Sequence, residues 1–353
     1  MSMLFDDIHK IKEIDPDNVI DQIRRTPDQI YSAWQLGISK NIPSLDQIYH
    51  IVFIGVGESG VSAELVKVYV EPLCELPITI FRNYELPKWV NGEHILVIGI
   101  SHTGNTIETQ TAMKKAHLRG CTTVSISTGG GLLDFAKETN TLFCQYYYEG
   151  HRAFALGYVF GLTLGLLHKA GFIPDQTEEI ENLMKDLKQL VKHNELTIQS
   201  PINPSKRLAG QLINRSVMVV GADFLSPVAK RWKNQINTTA KAWAQFDTIP
   251  ELNHNTQECI YYPDEVVSQL MVIFLRSPML HEQNLLRVDL TKKSFMLAGV
   301  GTDQVDGRGN TLLSQIWTSV LFGDLVAYYL AIAYATDPAS IDNIEDFQLN
   351  LKV

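Results

Sequence analysis

At 353 residues and a formal net charge of −9, the chain is long enough for two domains that each bury a core. Charged residues make up 20% and apolar residues 45%, the balance of a soluble globular protein. The acidic excess argues against nucleic acid or an anionic membrane as the main partner, although a local positive pocket for a small anion stays open.

The N-terminus, MSMLFDDIHKIKEID, places acids early and carries no long apolar run. It is not the pattern of a signal peptide, and a cytoplasmic protein is expected. The first 44 residues read as helical, with start signals at Asp15–Asn18 and then Ile20, Ile23, Ile30 and Trp34 at roughly helical intervals. Strand-like runs follow: IVFIGV (51–56), ITIFR (78–82), HILVIGI (94–100), TTVSIS (122–127) and TLFCQY (141–146). Amphipathic stretches at 60–71 and 106–118 lie between them. Near-continuous apolar strands alternating with helices predict an α/β fold whose parallel sheet is covered on both faces.

The apolar segment AFALGYVFGLTLGLL (153–167) is too short for an easy membrane span and holds three glycines, so it predicts a central buried helix. A charged amphipathic helix between Pro174 and the turn-rich SPINPS (200–205) reads as the link to a second lobe. That lobe opens with SVMVVGAD (216–223) and continues through a helix containing AKRWKNQI. Strands are expected at LMVIFLR (270–276) and RVDL (287–290), then a closing helix at 311–334. The expected division is a helical segment at 1–44, a first subdomain at 45–172, a helical linker at 173–205 and a second subdomain at 206–353. Four scattered cysteines (Cys74, Cys121, Cys144, Cys259) form no C-x-x-C pair, which fits buried thiols better than a disulfide framework or a zinc site.

Two loops carry chemistry. GVGESG (55–60) follows the first strand, and SHTGNT (101–106) follows the third. At the carboxyl end of a parallel sheet, glycines such as Gly57 let the backbone approach an anion, and helix N-termini present unpaired N–H groups. Ser59, Ser101, Thr103 and Thr106 add hydroxyl donors, so the pair predicts a phosphate cradle. Packing alone offers another reading, a turn with a Ser/Thr helix cap. The G-x-G-x-x-G of Gly55, Gly57 and Gly60 raises dinucleotide binding, but the acid for a ribose is not on the second strand, where only Glu85 follows Arg82. The second lobe echoes the first, with VMVVGAD against IVFIGVG and LMVIFLR against HILVIGI. The echo stops at SPMLHEQN, which lacks the hydroxyls, and so predicts one phosphate site per chain.

GVGESGVSAELV followed by SHTGNTIET resembles the sugar isomerase (SIS) domain. DPDNVIDQIRRTPDQIYSAWQLG, YELPKWV, HRAFALGY and PELNHN occur in the order seen in bifunctional phosphoglucose/phosphomannose isomerases, a resemblance that covers essentially the whole chain. It implies two SIS subdomains of flavodoxin/Rossmann-like type, each a parallel sheet flanked by helices, in a homodimer. The implied activity interconverts glucose 6-phosphate or mannose 6-phosphate with fructose 6-phosphate, with no metal and no organic cofactor.

By the same resemblance, Ser59, Ser101, Thr103 and Thr106 match phosphate-binding positions, and Arg152 matches an arginine that stabilises the enediolate. His254 matches the ring-opening histidine, which in this family reaches in across the subunit interface. Two positions depart from the pattern. Thr238 stands where the family has its glutamate base, sixteen residues before His254, with Asn237, Ala240 and Lys241 holding the alignment. Gln348 stands where the family has a lysine, for which Lys352 is a candidate substitute. Loss of a positioned base removes about 10²–10⁴ of rate, so the resemblance implies an isomerase that is slowed, or a non-catalytic sugar-phosphate sensor. Glu251 and Glu258 are candidate replacement bases, and Glu58 adds a negative charge beside the cradle. No basic helix-turn-helix segment supports a transcriptional regulator.

Overall fold

The structure is a computed structural model that describes residues 5–43, 45 and 47–351; Lys352 lies outside them. The chain divides into two compact units, one of residues 25–185 and one of residues 1–24 with 186–353. The helical segment at 1–44 is therefore shared between the units.

Residues 1–24 hold α1 (Ile8–Ile14) and α2 (Val19–Arg24). The 25–185 unit begins with α3 (Thr26–Ile38) and continues β1 (His50–Ile54), α4 (Glu58–Val70), β2 (Ile78–Phe81), β3 (Ile95–Ile100), α5 (Ile107–Leu118), β4 (Thr122–Ser127), α6 (Gly130–Thr139), β5 (Leu142–Gln145) and α7 (Leu156–Lys169). Its five strands are all parallel in the order β2-β1-β3-β4-β5. β1 and β3 are direct neighbours, with Ile54 opposite Gly99. The two loops singled out in the sequence thus leave adjacent strand ends. Gly99 gives α5 close access to the sheet, since a Cβ there would meet Met113 Sδ at 2.5 Å. Met113 joins Val52, Ile54, Val97, Leu132 and Phe135 in the buried core.

The three glycines of the apolar segment have a packing cause. α7 lies against α3 so closely that a Cβ at Gly161 would sit 2.4 Å from Ile30 O, and one at Gly165 2.8 Å from Trp34 O. Gly157 faces Gln29 and Ile30 in the same seam. Spacing of four residues keeps all three on one helical face, and at Gly161 and Gly165 backbone meets backbone.

The boundary at 185/186 falls inside α8 (Thr177–His193), the charged amphipathic helix. The second unit then runs α9 (Pro204–Leu212), β6 (Ser216–Ala222), α10 (Ser226–Thr238), β7 (Ala244–Ile249), α11 (Asp264–Val267), β8 (Leu270–Arg276), α12 (Glu282–Leu297), β9 (Gly301–Asp306), α13 (Leu312–Ala333) and α14 (Asp342–Asn350). Its four strands are also parallel, in the order β7-β6-β8-β9. α13 is long and apolar enough to cross a membrane, but 94% of its most apolar window is buried inside the fold, as in a core helix. α10 is pinned to it by a bidentate pair at 2.9–3.0 Å between buried Arg231 and Asp324.

RVDL (287–290) is not a strand; it lies in the middle of α12. Val288, Thr291 and Phe295 are its buried positions, a helical spacing that four residues are too short to reveal. Asp289 is also held by Arg276 at 2.9 Å. Strands β7 and β9 go unmarked because polar residues interrupt each of these half-exposed edges and leave no apolar run.

Candidate functional site

At the carboxyl ends of β1, β3 and β4 in the 25–185 unit three helices begin, and in none does the residue before the helix cap it with its own side chain. Gly57, at φ +58°, is the residue before α4; Thr106 precedes α5; Gly129 precedes α6. The α4 and α5 starts leave backbone N–H groups and the positive end of the helix dipole for another acceptor, whereas the first turn of α6 is answered inside the fold by Asn105 Oδ1 and Gly104 O. Thr106 is the telling case. It is a good capping residue, yet its hydroxyl lies 2.8 Å from Ser101 Oγ instead of on its own helix.

The SHTGNT loop is held in shape by the loop after β4. Thr128 N and Oγ1 donate to His102 O at 3.0 and 2.7 Å, and Ser127 Oγ donates to the same oxygen at 3.2 Å. Gly131 N donates to Asn105 Oδ1, and Leu132 N to Gly104 O. Both glycines at the crossing are obligatory. Gly104 sits at φ +72°, where a Cβ would fall 1.9 Å from Gly129 O; Gly130 sits at φ +64°, where a Cβ would fall 2.2 Å from Thr103 O.

Of the expected binding residues, this unit holds Gly57, Ser59, Ser101, Thr103, Thr106 and Arg152. Ser101 is buried and paired with Thr106. Ser59 lies half-buried in the first turn of α4. Thr103 is exposed, and its hydroxyl accepts from Asn105 N at 3.2 Å, which commits part of it to the turn itself. Glu58 is half-buried in the same first turn as Ser59. Arg152 opens the short 3-10 turn Arg152–Phe154 after β5.

Thr238, His254 and Gln348 belong to the other unit. Thr238 is the last residue of α10, and its hydroxyl donates to Asn234 O at 2.8 Å, a local bond characteristic of threonine in helices. His254 ends the 3-10 turn Glu251–His254 and is exposed. Glu251 and Glu258 are exposed beside it, and Glu251 Oε1 accepts from Asn255 at 3.3 Å. Gln348 is on α14, exposed. Among the described residues no cluster of three His, Cys, Asp or Glu side chains is arranged to hold a metal ion.

Two features went unread in the sequence. One is the third loop, Ser127–Gly131, whose STGGG follows a strand and opens a helix and was therefore a legible signal. The other is His102. Its Nδ1 lies 2.9 Å from Tyr146 Oη, and the rings of Tyr146 and Tyr148 stand 5.9 and 6.0 Å away. Burial and, after it, the nearby Arg152 guanidinium push the imidazole down to about 4, so it is neutral at physiological pH.

In the other unit the equivalent place is already filled. Asp223, directly after β6, accepts from His281 N at 2.9 Å and from Asn284 Nδ2 at 2.6 Å, at the start of α12. A cavity of about 390 Å³ in that unit, lined among others by Arg207, Arg308, Asp303 and Phe322, contains none of the expected site residues.

The model of the bacterial phospho-glucose isomerase C-terminal SIS domain matches residues 202–351. A bifunctional phosphoglucose/phosphomannose isomerase from Caldicellulosiruptor bescii is 31% identical over 330 residues, 93% of this chain and 97% of that protein. One from Aquifex aeolicus is 30% identical over 305 residues, 86% and 90% of the two chains. Among solved structures, tagatose-6-phosphate ketose/aldose isomerase from Escherichia coli superimposes with a TM-score of 0.66 over 90% of this chain and 93% of that one, at 13% identity, a likeness of fold. The chain belongs to the bifunctional phosphoglucose/phosphomannose isomerase family.

Proposed function

We propose that the protein is an aldose–ketose isomerase that interconverts glucose 6-phosphate or mannose 6-phosphate with fructose 6-phosphate. The observation that carries this reading is the pair of uncapped helix starts, those of α4 and α5, at neighbouring strand ends, lined by Ser59, Ser101, Thr103 and Thr106. Backbone N–H groups and hydroxyls there bind the phosphate dianion, with Gly57 giving it close access to the main chain. Arg152 neutralises the charge that gathers on the oxygen of the enediolate. His254 moves a proton on and off the ring oxygen as the hexose opens, reaching the site across the interface of a homodimer. No metal or organic cofactor takes part, and the enzyme works in the cytoplasm.

A second reading has one observation in its favour. Thr238, at the position expected to hold the base, spends its hydroxyl on Asn234 O. On that reading the protein binds hexose phosphates as a sensor without transforming them. Fructose 6-phosphate labelled with ¹³C at C2 separates the two. Growth of an aldose C2 resonance, at a rate that scales with protein concentration, supports the isomerase; saturable binding with an unchanged spectrum supports the sensor.

A further inference from the structure

Moving hydrogen between two adjacent carbons needs a group that is unprotonated at neutral pH and returns what it takes. Thr238 does not qualify, because a hydroxyl donating inside α10 is neither a base nor free. Glu251 and Glu258 are exposed on the His254 turn, with Glu251 accepting from Asn255. In the 25–185 unit, the His102 side chain has the required form and place.

His102 lies between Ser101 and Thr103, the residues whose hydroxyls line the cradle. Its ring does not point back toward β1. It reaches across the strand order to Tyr146, which directly follows β5, and comes under the influence of Arg152 in the next segment. The imidazole thus leaves the SHTGNT loop on the side of β5, within the electrostatic reach of the arginine expected at the reacting carbons. Tyr146 is 1% exposed and takes only Nδ1; Nε2 has no hydrogen-bond partner among the described residues. Arg152 is the charged group that acts on the ring, and Tyr146 and Tyr148 are its other titratable neighbours. A phosphate dianion arriving beside this ring favours its protonated form, so proton affinity rises only when the substrate is present.

Resting on the isomerase reading above, we infer that His102 is the base that touches the sugar: held through Nδ1 by Tyr146, it shuttles hydrogen between C2 and C1 on Nε2. Nδ1–H donates to Tyr146 Oη. The C2–H bond of the open aldose breaks, its electron pair forms the C1–C2 double bond, and the carbonyl pair moves onto O1 beside Arg152. The proton rests on Nε2 as imidazolium. It then returns to C1 while the O2 proton passes through solvent to O1, leaving the C2 ketone and a neutral ring. Atoms and charge balance with no co-reactant.

The test compares wild type with His102→Asn and His102→Gln in deuterated water containing fructose 6-phosphate. The wild type is expected to place deuterium at C1 of recovered ketose and C2 of the aldose. Both variants are expected to bind fructose 6-phosphate within about threefold by calorimetry and to exchange ~10²–10⁴ more slowly. In ¹⁵N-histidine spectra of the wild type, fructose 6-phosphate is expected to shift one Nε2 resonance that both variants lack. Exchange within tenfold of wild type in either variant, or weakened binding with exchange per bound molecule unchanged, overturns the inference and leaves the isomerase reading standing. A wild type that binds fructose 6-phosphate and exchanges no hydrogen overturns both.

Discussion

The two sheets share a plan and differ at one edge of it. β2-β1-β3-β4 and β7-β6-β8-β9 run in matching order, all parallel. In the first, the helices after β1 and β3 start with their N–H groups uncapped by side chains and hydroxyls gathered round them. In the second, the Asp223 carboxylate occupies the start of α12, and His281 Nδ1 accepts from Gln283 N in the same turn. A carboxylate is an anion supplied by the chain itself. Whether a strand end in this fold recruits a ligand thus depends less on the sheet than on whether the chain has already answered its own donors.

The sharpest way to break the comparison is to remove the hydroxyls. The double variant Ser101→Ala with Thr106→Val is expected to weaken fructose 6-phosphate binding roughly 100-fold or more, since hydrogen bonds to a charged group contribute about 1.5–3 kcal/mol each. Calorimetry reads this, and unchanged affinity would place the ligand elsewhere. Gly104→Ala acts on the scaffold instead. Its positive φ and the contact with Gly129 O predict a loss of about 3 kcal/mol in urea unfolding, from backbone strain and a displaced loop.

Acid should also tell the two ends apart. His102 falls from its ordinary 6.5 to about 4 in the folded chain. A depressed histidine contributes stability that is fully present above pH 6.5 and is lost as the pH falls toward 4. A shift of that size corresponds to roughly 3 kcal/mol, so stability measured across that window should decline less steeply in His102→Gln. The smallest effect sharpens the comparison from the other side. Asp223→Ala should cost about 1 kcal/mol of stability through lost hydrogen bonds and open the α12 start to solution anions. Phosphate titration followed by amide shifts should then report weak binding near His281–Asn284 that the wild type lacks.

Most strands legible in the sequence have apolar residues on both faces: 51–56, 94–100, 122–127, 216–223 and 270–276 are buried nearly end to end, and the edge strands at 78–82 and 141–146 showed through shorter apolar runs. AQFDTI and GTDQVD were not legible, because polar residues interrupt each of these half-exposed strands and leave no such run. RVDL misled because four alternating residues look alike on a strand and inside α12. The hydroxyls and glycines of GVGESG and SHTGNT announced their loops, since those residue types serve few other purposes at a strand end. His102 announced nothing. What sets its charge state is burial and then Arg152, while Tyr146, 44 residues along the chain, holds the ring, and only folding brings them together.

The seam between α3 and α7 has a mechanical reach. With Gly161 and Gly165 set against the main chain of its neighbour, α7 has no layer of compressible side chains at those two positions to absorb a disturbance. It begins two residues after the turn that carries Arg152. A lone methyl added at Gly161 would push the whole rod outward and re-aim that guanidinium, so turnover should be lost by a change that touches no ligand.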